Sequence, residues 1–139
     1  MSALAVGVDV GGTFVKFGLV DPLGRVLRED RMPTEPEKGP RHFVRRAKRL
    51  LKGWRYGSLG LALAGCVESR TGYLLFVPNM RCWEGFSFKR AFGAHTAVEN
   101  DANQKYPTLW SFANFMEQSF GVQTMAQGGY GRFFGAGDD

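Results

Sequence analysis

The chain has little cysteine and no long hydrophobic run. Its two cysteines, Cys66 and Cys82, are too few for a disulfide scaffold and form no CxxC pair, so we interpret both as reduced thiols. The longest apolar runs, at residues 59–65 and 73–77, are far shorter than the roughly 20 residues that a membrane-spanning helix requires. The first residues also lack the basic segment that is typical of a signal peptide. The sequence therefore predicts a cytoplasmic protein with no membrane partner.

Positive charge is in excess, but the excess is local. The formal net charge of +5 raises the question of nucleic acid as a partner, and much of that charge lies in residues 41–55. Apolar side chains recur at helical spacing between those basic residues, at Phe43, Ala47, Leu50, Leu51 and Trp54. The pattern predicts an amphipathic helix over residues 41–54 with a solvated basic face. Nucleic acid is accordingly not the partner we expect, and a polyanion-binding role stays the alternative.

The order of the predicted elements indicates an α/β fold. Apolar runs at residues 4–10 and 14–21, separated by Gly11-Gly12-Thr13, suit a hairpin, and an alternating run at 25–32 extends it to a three-stranded antiparallel meander. The helix follows, and then come strands and a short helix in alternation, at residues 57–65, 72–77, 87–92 and 96–99. In folds of this kind, ligands gather at the carboxyl ends of the strands.

The turn between the first two strands has the features of a phosphate site. Asp9 stands near the end of a buried strand, and Gly11 and Gly12 lack side chains, so their backbone N–H groups can approach a ligand closely. A carboxylate near a metal-bound phosphate is also what phosphoryl transfer needs. Taken alone, however, the same turn is also consistent with a plain hairpin.

Three motifs, in this order, resemble the ROK family (repressor, open reading frame, kinase) of the actin, hexokinase and Hsp70 superfamily. They are residues 9–21, the stretch from residues 60–65 through Pro78-Asn79 to Trp83 and Gly85, and residues 98–103. The resemblance implies that residues 1–103 form the N-terminal lobe of a glucokinase-like sugar kinase, with a ribonuclease H-like (actin-like ATPase) fold. It also implies ATP and Mg²⁺ as cofactors and a hexose or N-acetylated hexose as substrate, with polyphosphate as an alternative donor.

The resemblance assigns roles to individual residues. It implies that Asp101 is the catalytic base, which removes the proton from the attacking sugar hydroxyl and approaches the same cleft as Asp9. The sugar contacts that it implies are Gly65, Asn79, Asn100 and Asp101. The residues placed at the nucleotide phosphates are Asp9, Gly11, Gly12, Thr13 and, as a weaker candidate, Lys16. We assign no side chain as a metal ligand.

Each assignment in the later motifs has a plainer alternative. Asn79 follows a proline and is consistent with an ordinary turn residue, and we favour packing over sugar stacking for Trp83. The side chains of Asn100, Asp101 and Asn103 are each able to cap a following helix. The occurrence of three motifs in the family's order favours the site over these readings.

The resemblance ends after Asn103. Family members continue with a small-residue helix, a second glycine-rich phosphate motif and a zinc cluster, whereas residues 104–139 are rich in aromatics and glycine. The two histidines, His42 and His95, precede this point, so no family zinc site is predicted. We interpret residues 104–139 as an atypical tail, with truncation or a frameshift as hypotheses, and expect a weakly active or incomplete kinase. The alternative is a non-catalytic sugar-binding or regulatory remnant, and a homodimer is left open. Few residues precede the opening motif, which does not favour a DNA-binding repressor.

Overall fold

The computed structural model describes residues 4–68 and 70–100. Over these residues the chain forms strands and helices in the order β1 (Ala5–Val10), β2 (Phe14–Val20), β3 (Val26–Pro33), α1 (Pro40–Leu50), β4 (Ser58–Leu63), β5 (Cys66–Glu68), β6 (Tyr73–Phe76), α2 (Phe88–Phe92) and β7 (Thr96–Asn100). Short 3-10 helices lie at Pro36–Lys38 and Arg81–Trp83. No helix in this described part of the chain is long and apolar enough to span a membrane.

The main sheet has five strands in the order β3-β2-β1-β4-β7. β1 pairs antiparallel with β2 and β2 with β3, which confirms the predicted meander. β4 pairs parallel with β1 and with β7, and α1 lies in the connection from β3 to β4 that returns the chain to the sheet beside β1. The predicted α/β lobe is therefore confirmed.

The core lies on one face of this sheet because the strands alternate. Val8 of β1 faces Phe17 of β2, and both are buried in one cluster with Phe43 and Ala47 of α1. Successive side chains of a strand point to opposite faces, so Asp9 and Lys16 lie on the other face. The strand pattern thus separates the apolar core from the candidate site residues.

Helix α1 ends earlier than the sequence predicted. We expected a helix to residue 54, but it ends at Leu50, and the chain then turns through Gly53, whose φ of 93° is a left-handed conformation that suits glycine. Leu51 and Trp54 remain in the core through this turn, which explains why their spacing resembled a longer helix. The basic side chains of the helix, at Arg41, Arg45, Lys48 and Arg49, are exposed as predicted.

A small hairpin that the sequence did not predict follows β4. We expected one strand over residues 57–65, but β4 ends at Leu63, and Cys66–Glu68 pairs antiparallel with β6 in a separate sheet. Three residues are too few to show an alternation of apolar and polar side chains, so no sequence pattern predicted β5. The hairpin is followed by α2, which Ser87 caps by accepting a hydrogen bond from the Arg90 backbone N–H at 3.3 Å.

Candidate functional site

The carboxyl ends of the three parallel strands meet at one edge of the sheet. In the register of the sheet, Val10 of β1 pairs with Leu63 of β4, and Leu63 pairs with Asn100 of β7. The chain leaves these ends into residues 11–13, into Gly65 and, after Asn100, into the predicted base Asp101. The three motifs found in the sequence are therefore brought to one edge, although Asp101 itself lies outside the described residues.

Residues 11–13, here called the glycine turn, contain two glycines with different structural roles. The Gly11 N–H donates to the Phe14 carbonyl at 3.0 Å, and a Cβ on Gly11 would lie 2.8 Å from that oxygen. A Cβ on Gly12 would meet nothing within 4 Å, and both Gly12 and Thr13 are exposed. The hairpin itself therefore requires a glycine at residue 11. The described packing does not require a glycine at residue 12, which faces open space.

Asp9 belongs to a row of charged residues beside the glycine turn. It is half-buried in β1 and pairs in register with Lys16 of β2, and Lys16 pairs with Arg31 of β3. Residues that are directly opposite on neighbouring strands share a face. The Arg31 guanidinium also lies over the Phe14 ring, 4.5 Å from its centroid. Sequence reasoning identified Lys16 but missed Arg31, which adds a second positive charge on the same face.

Thr34 holds the glycine turn through two hydrogen bonds. Its hydroxyl donates to the Gly11 carbonyl at 2.8 Å and its backbone N–H donates to the Thr13 carbonyl at 2.8 Å, and its side chain is fully buried. Sequence reasoning missed this residue. The signal was the register of the meander: Pro33 pairs with Phe14, which places Thr34 opposite Thr13.

Residues 77–84, here called the asparagine loop, carry Asn79. The Met80 N–H donates to the Val77 carbonyl at 2.9 Å and closes a turn in which Asn79 is exposed. Glu84 fixes this loop, since its carboxylate accepts from the Val77 N–H at 3.0 Å and contacts the Arg81 guanidinium at 2.7 Å. Asn79 makes no hydrogen bond within the described residues, so its amide is open to a ligand.

Gly65 and Trp83 have evident packing roles. A Cβ on Gly65 would lie 2.8 Å from the Phe76 carbonyl oxygen, so the glycine lets the chain that follows β4 pass close to the start of the asparagine loop. Trp83 is fully buried, its ring centroid lies 5.2 Å from that of Phe43, and its indole N–H donates to the Pro36 carbonyl at 2.9 Å. The packing role that we favoured for Trp83 is confirmed.

The connection between β3 and α1 carries a carboxylate in a cationic setting. Glu35 Oε1 lies 2.9 Å from His42 Nε2, 3.4 Å from an Arg46 nitrogen and 3.6 Å from Lys38 Nζ. The hydrogen bond from His42, helped by the charges of Lys38 and Arg46, holds the pKa of Glu35 below its usual value despite partial desolvation. Glu35 is thereby held as an anion beside α1.

Asp9, beside the glycine turn, is a carboxylate that could contact a magnesium ion brought by a nucleotide. Within the described residues, no three His, Cys, Asp or Glu side chains converge as a metal cage. Mg²⁺ in nucleotide sites is usually held by one or two carboxylates together with the substrate phosphates and water, and Asp9 offers one such carboxylate. A protein cage is therefore not needed for this ion.

Comparison with known proteins shows that the chain is similar to sugar kinases. Curated glucokinases from Streptomyces coelicolor and Thermotoga maritima are 32% and 30% identical to the chain over 108 and 106 residues, which cover 72% and 70% of it. The chain spans about a third of the length of these relatives, 33% in each case.

Solved structures of about the same similarity share the fold. A ROK family glucokinase from Streptomyces griseus, in complex with glucose and AMPPNP, is 30% identical with a TM-score of 0.63, covering 72% of this chain and 34% of that one. A ROK hexokinase from Thermus thermophilus is 29% identical with a TM-score of 0.60, covering 72% and 36% of the two chains.

The family match extends beyond the described residues. A sequence model described as ROK family matches residues 5–127, so it includes part of the tail that we separated at residue 103, and that boundary stays a prediction. With a match over most of its length and three motifs at one edge of the predicted lobe, the chain belongs to the ROK family.

Proposed function

We propose that this chain binds a hexose and the phosphates of ATP at the carboxyl edge of its main sheet, and that it contributes one lobe of a sugar kinase. The observation that carries the proposal is the pairing of Val10, Leu63 and Asn100, which gathers the ends of three motif-bearing strands. Its family relatives include glucokinases, so glucose is the first sugar to test. N-acetylated hexoses are the next, and polyphosphate is a donor to compare with ATP.

The phosphate side of the proposed site is the glycine turn. Gly12 and Thr13 are exposed, and in our proposal their backbone N–H groups bind phosphate oxygens, with the positive charge of Lys16 on the adjacent strand. Asp9 would hold the Mg²⁺ that accompanies the nucleotide and neutralises charge on its phosphates. Fixed donors and charges of this kind stabilise the transferring group without having to reorganise during the reaction.

The sugar side combines the asparagine loop with the end of β7. The Asn79 amide offers both donors and an acceptor, which suits a ligand rich in hydroxyl groups, and Asn100 stands at the neighbouring strand end. Gly65, whose missing side chain lets the backbone at Phe76 approach, is the third sugar contact in this proposal. Asp101 follows Asn100 directly in the chain, and in our proposal its carboxylate takes the proton of the attacking hydroxyl as the γ-phosphoryl group is transferred.

The test measures transfer of labelled phosphate from γ-labelled ATP to glucose by the 139-residue chain and by Asp101→Asn. We expect the unaltered chain to turn over below about 1 per second, the low end of the usual enzyme range, because it spans only a third of its relatives (33%). Asp101→Asn keeps the shape of the side chain but removes the base, and we expect it to be about 100- to 10,000-fold slower. Equal rates for the two proteins would contradict the catalytic assignment.

Sugar binding is measured separately by calorimetry, so that binding and catalysis are distinguished. Asn79→Ala is expected to weaken glucose binding about tenfold, the equivalent of about 1.4 kcal/mol. His95→Ala, at the opposite end of β7, is the control and should bind normally. Binding without transfer would favour the non-catalytic sugar-binding remnant, and the absence of both would reject the proposal.

A further inference from the structure

Three consecutive residues, Thr34, Glu35 and Pro36, contact three separate parts of the lobe. Thr34 donates two hydrogen bonds of 2.8 Å to the glycine turn. Glu35 contacts His42 and Arg46 of α1. The Pro36 carbonyl accepts the indole N–H of Trp83, in the asparagine loop, at 2.9 Å. We call residues 34–36 the strap, because they connect the two sides of the proposed site.

The backbone of the strap is held in an uncommon conformation. Glu35 has φ 49° and ψ 56°, and it is the one non-glycine residue of the described chain with a positive φ. Such a conformation costs energy in an L-residue and persists only where the surroundings determine it. Here the surroundings are the Glu35 contacts with α1, and the Arg46 guanidinium also donates to the Pro33 carbonyl at 2.7 Å. Helix α1 thus holds the strap in place, and the strap contacts the glycine turn and the asparagine loop.

We propose that the strap is a positioning element for the proposed kinase site, with Thr34 as the positioning residue that sets the glycine turn relative to the asparagine loop. This proposal rests on the proposed function. The glycine turn joins two strands of the main sheet, whereas the asparagine loop follows β6 of the small hairpin. Phosphoryl transfer depends on the alignment of two bound substrates, and a misplacement of about 1 Å can cost about 100-fold in rate.

The strap predicts coupling between the two ligands. A bound nucleotide that orders the glycine turn would also order Thr34 and, through Pro36, the asparagine loop that binds sugar. We therefore expect glucose to bind at least about fivefold more tightly when AMPPNP is present, the lower end of typical coupling between sites, and reciprocally. Without the Thr34 hydroxyl, this factor should fall towards 1.

The experiment compares Thr34→Val, Thr34→Ser and Thr96→Val by calorimetry with glucose, with AMPPNP and with both. Thr34→Val keeps the volume but removes the hydroxyl, and Thr34→Ser keeps the hydroxyl but removes a methyl group. Thr96, buried at the amino end of β7, is the control for the same change away from the site. We expect Thr34→Val to lose the coupling, and Thr34→Ser and Thr96→Val to keep it, whatever the loss of stability in each.

A second measurement does not depend on ligands. Amide hydrogen exchange at Gly11, whose N–H bonds to the Phe14 carbonyl, should become at least about tenfold faster in Thr34→Val than in Thr34→Ser. The amides of Leu23 and Arg25, at the other end of β2, should not change between the two variants. If Thr34→Val keeps normal coupling or normal Gly11 exchange, or if Thr34→Ser loses as much as Thr34→Val, the strap proposal is wrong. If the unaltered chain binds neither ligand, the proposed function fails and with it the strap's role in the site, and the exchange data then report only whether Thr34 orders the turn.

Discussion

Strand β2 lies between two turns that are held closed in different ways. At its end, the turn into β3 is closed by its own carboxylate: Asp21 Oδ1 accepts the N–H groups of Leu23 and Arg25 at 3.0 and 2.9 Å, and Oδ2 accepts Arg25 Nε at 2.7 Å. At its start, the glycine turn has no side chain of its own that makes a hydrogen bond within the described residues. It is held by Thr34, which lies 23 residues after Gly11 in the chain.

The difference is the one expected if the β2–β3 turn only reverses the chain and the glycine turn binds phosphate as proposed. In the β2–β3 turn, the Asp21 carboxylate accepts the N–H groups of Leu23 and Arg25, and the Asp21 carbonyl accepts that of Gly24 at 2.9 Å, so none is left for a ligand. In the glycine turn, Thr34 instead donates to the carbonyl groups of Gly11 and Thr13, so its hydrogen bonds use none of the N–H groups of the turn.

The largest expected effect on stability is at the turn that saturates itself. We expect Asp21→Ala to lower the free energy of unfolding by about 2 to 3 kcal/mol, because a buried carboxylate that accepts three hydrogen bonds is lost. Urea denaturation measures the change. Asp30→Ala, which removes an exposed carboxylate from β3, is the control and should stay within about 0.5 kcal/mol of the unaltered chain. If the two variants are equally stable, the Asp21 bonds do not hold this turn.

The next effect distinguishes the two glycines of the glycine turn. Gly11→Ala should cost about 2 kcal/mol of stability, because its Cβ would lie 2.8 Å from a backbone oxygen that cannot easily move. Gly12→Ala should leave stability within about 0.5 kcal/mol, since its Cβ meets nothing within 4 Å and its φ is not positive.

AMPPNP binding should separate the glycine turn from the β2–β3 turn. If the turn holds phosphate as proposed, Gly12→Ala should weaken AMPPNP binding about tenfold, about 1.4 kcal/mol, because a methyl group then stands where the phosphate approaches. Asp21→Ala should leave AMPPNP affinity unchanged. Normal AMPPNP binding by a stable Gly12→Ala protein would mean that the open space at Gly12 is not a phosphate site.

The sequence predicted the turns and strands better than the contacts between them. Alternation and glycine are local signals, so the meander, β4, β7 and the glycine turn were all located to within a few residues. Thr34 was missed because its partners are distant in sequence, and only the register of β2 with β3 brings them together. The strand β5 was missed because three residues carry no period. The predicted base Asp101 lies outside the described residues, so its role depends on the family resemblance and on the proposed experiment.

The smallest expected effect is on the pH dependence of stability. It compares the Asp21 contacts in the β2–β3 turn with the Glu35 contacts in the strap. Burial raises the pKa of Asp21, but the hydrogen bonds from the backbone and side chain of Arg25 and from Leu23 outweigh it, so the pKa lies below the ordinary 3.8. The His42 hydrogen bond likewise keeps the pKa of Glu35 below the ordinary 4.5. A carboxylate with a lowered pKa in the folded state stabilises the protein above its unfolded pKa and loses that contribution as the pH falls through the folded value.

The stability contribution of Glu35 should therefore begin to fall at a higher pH than that of Asp21, because the ordinary pKa of Glu35, about 4.5, is higher than that of Asp21, about 3.8. We expect Glu35→Gln to flatten the fall in the urea midpoint that begins near pH 4.5, and Asp21→Asn to flatten the fall that begins near pH 3.8. Urea midpoints at intervals between about pH 6 and pH 3 measure both. A Glu35→Gln protein whose stability falls with acid as steeply as that of the unaltered chain would show that the Glu35 contacts do not hold the strap, and the Thr34 hydrogen bonds would then hold the glycine turn without help from Glu35.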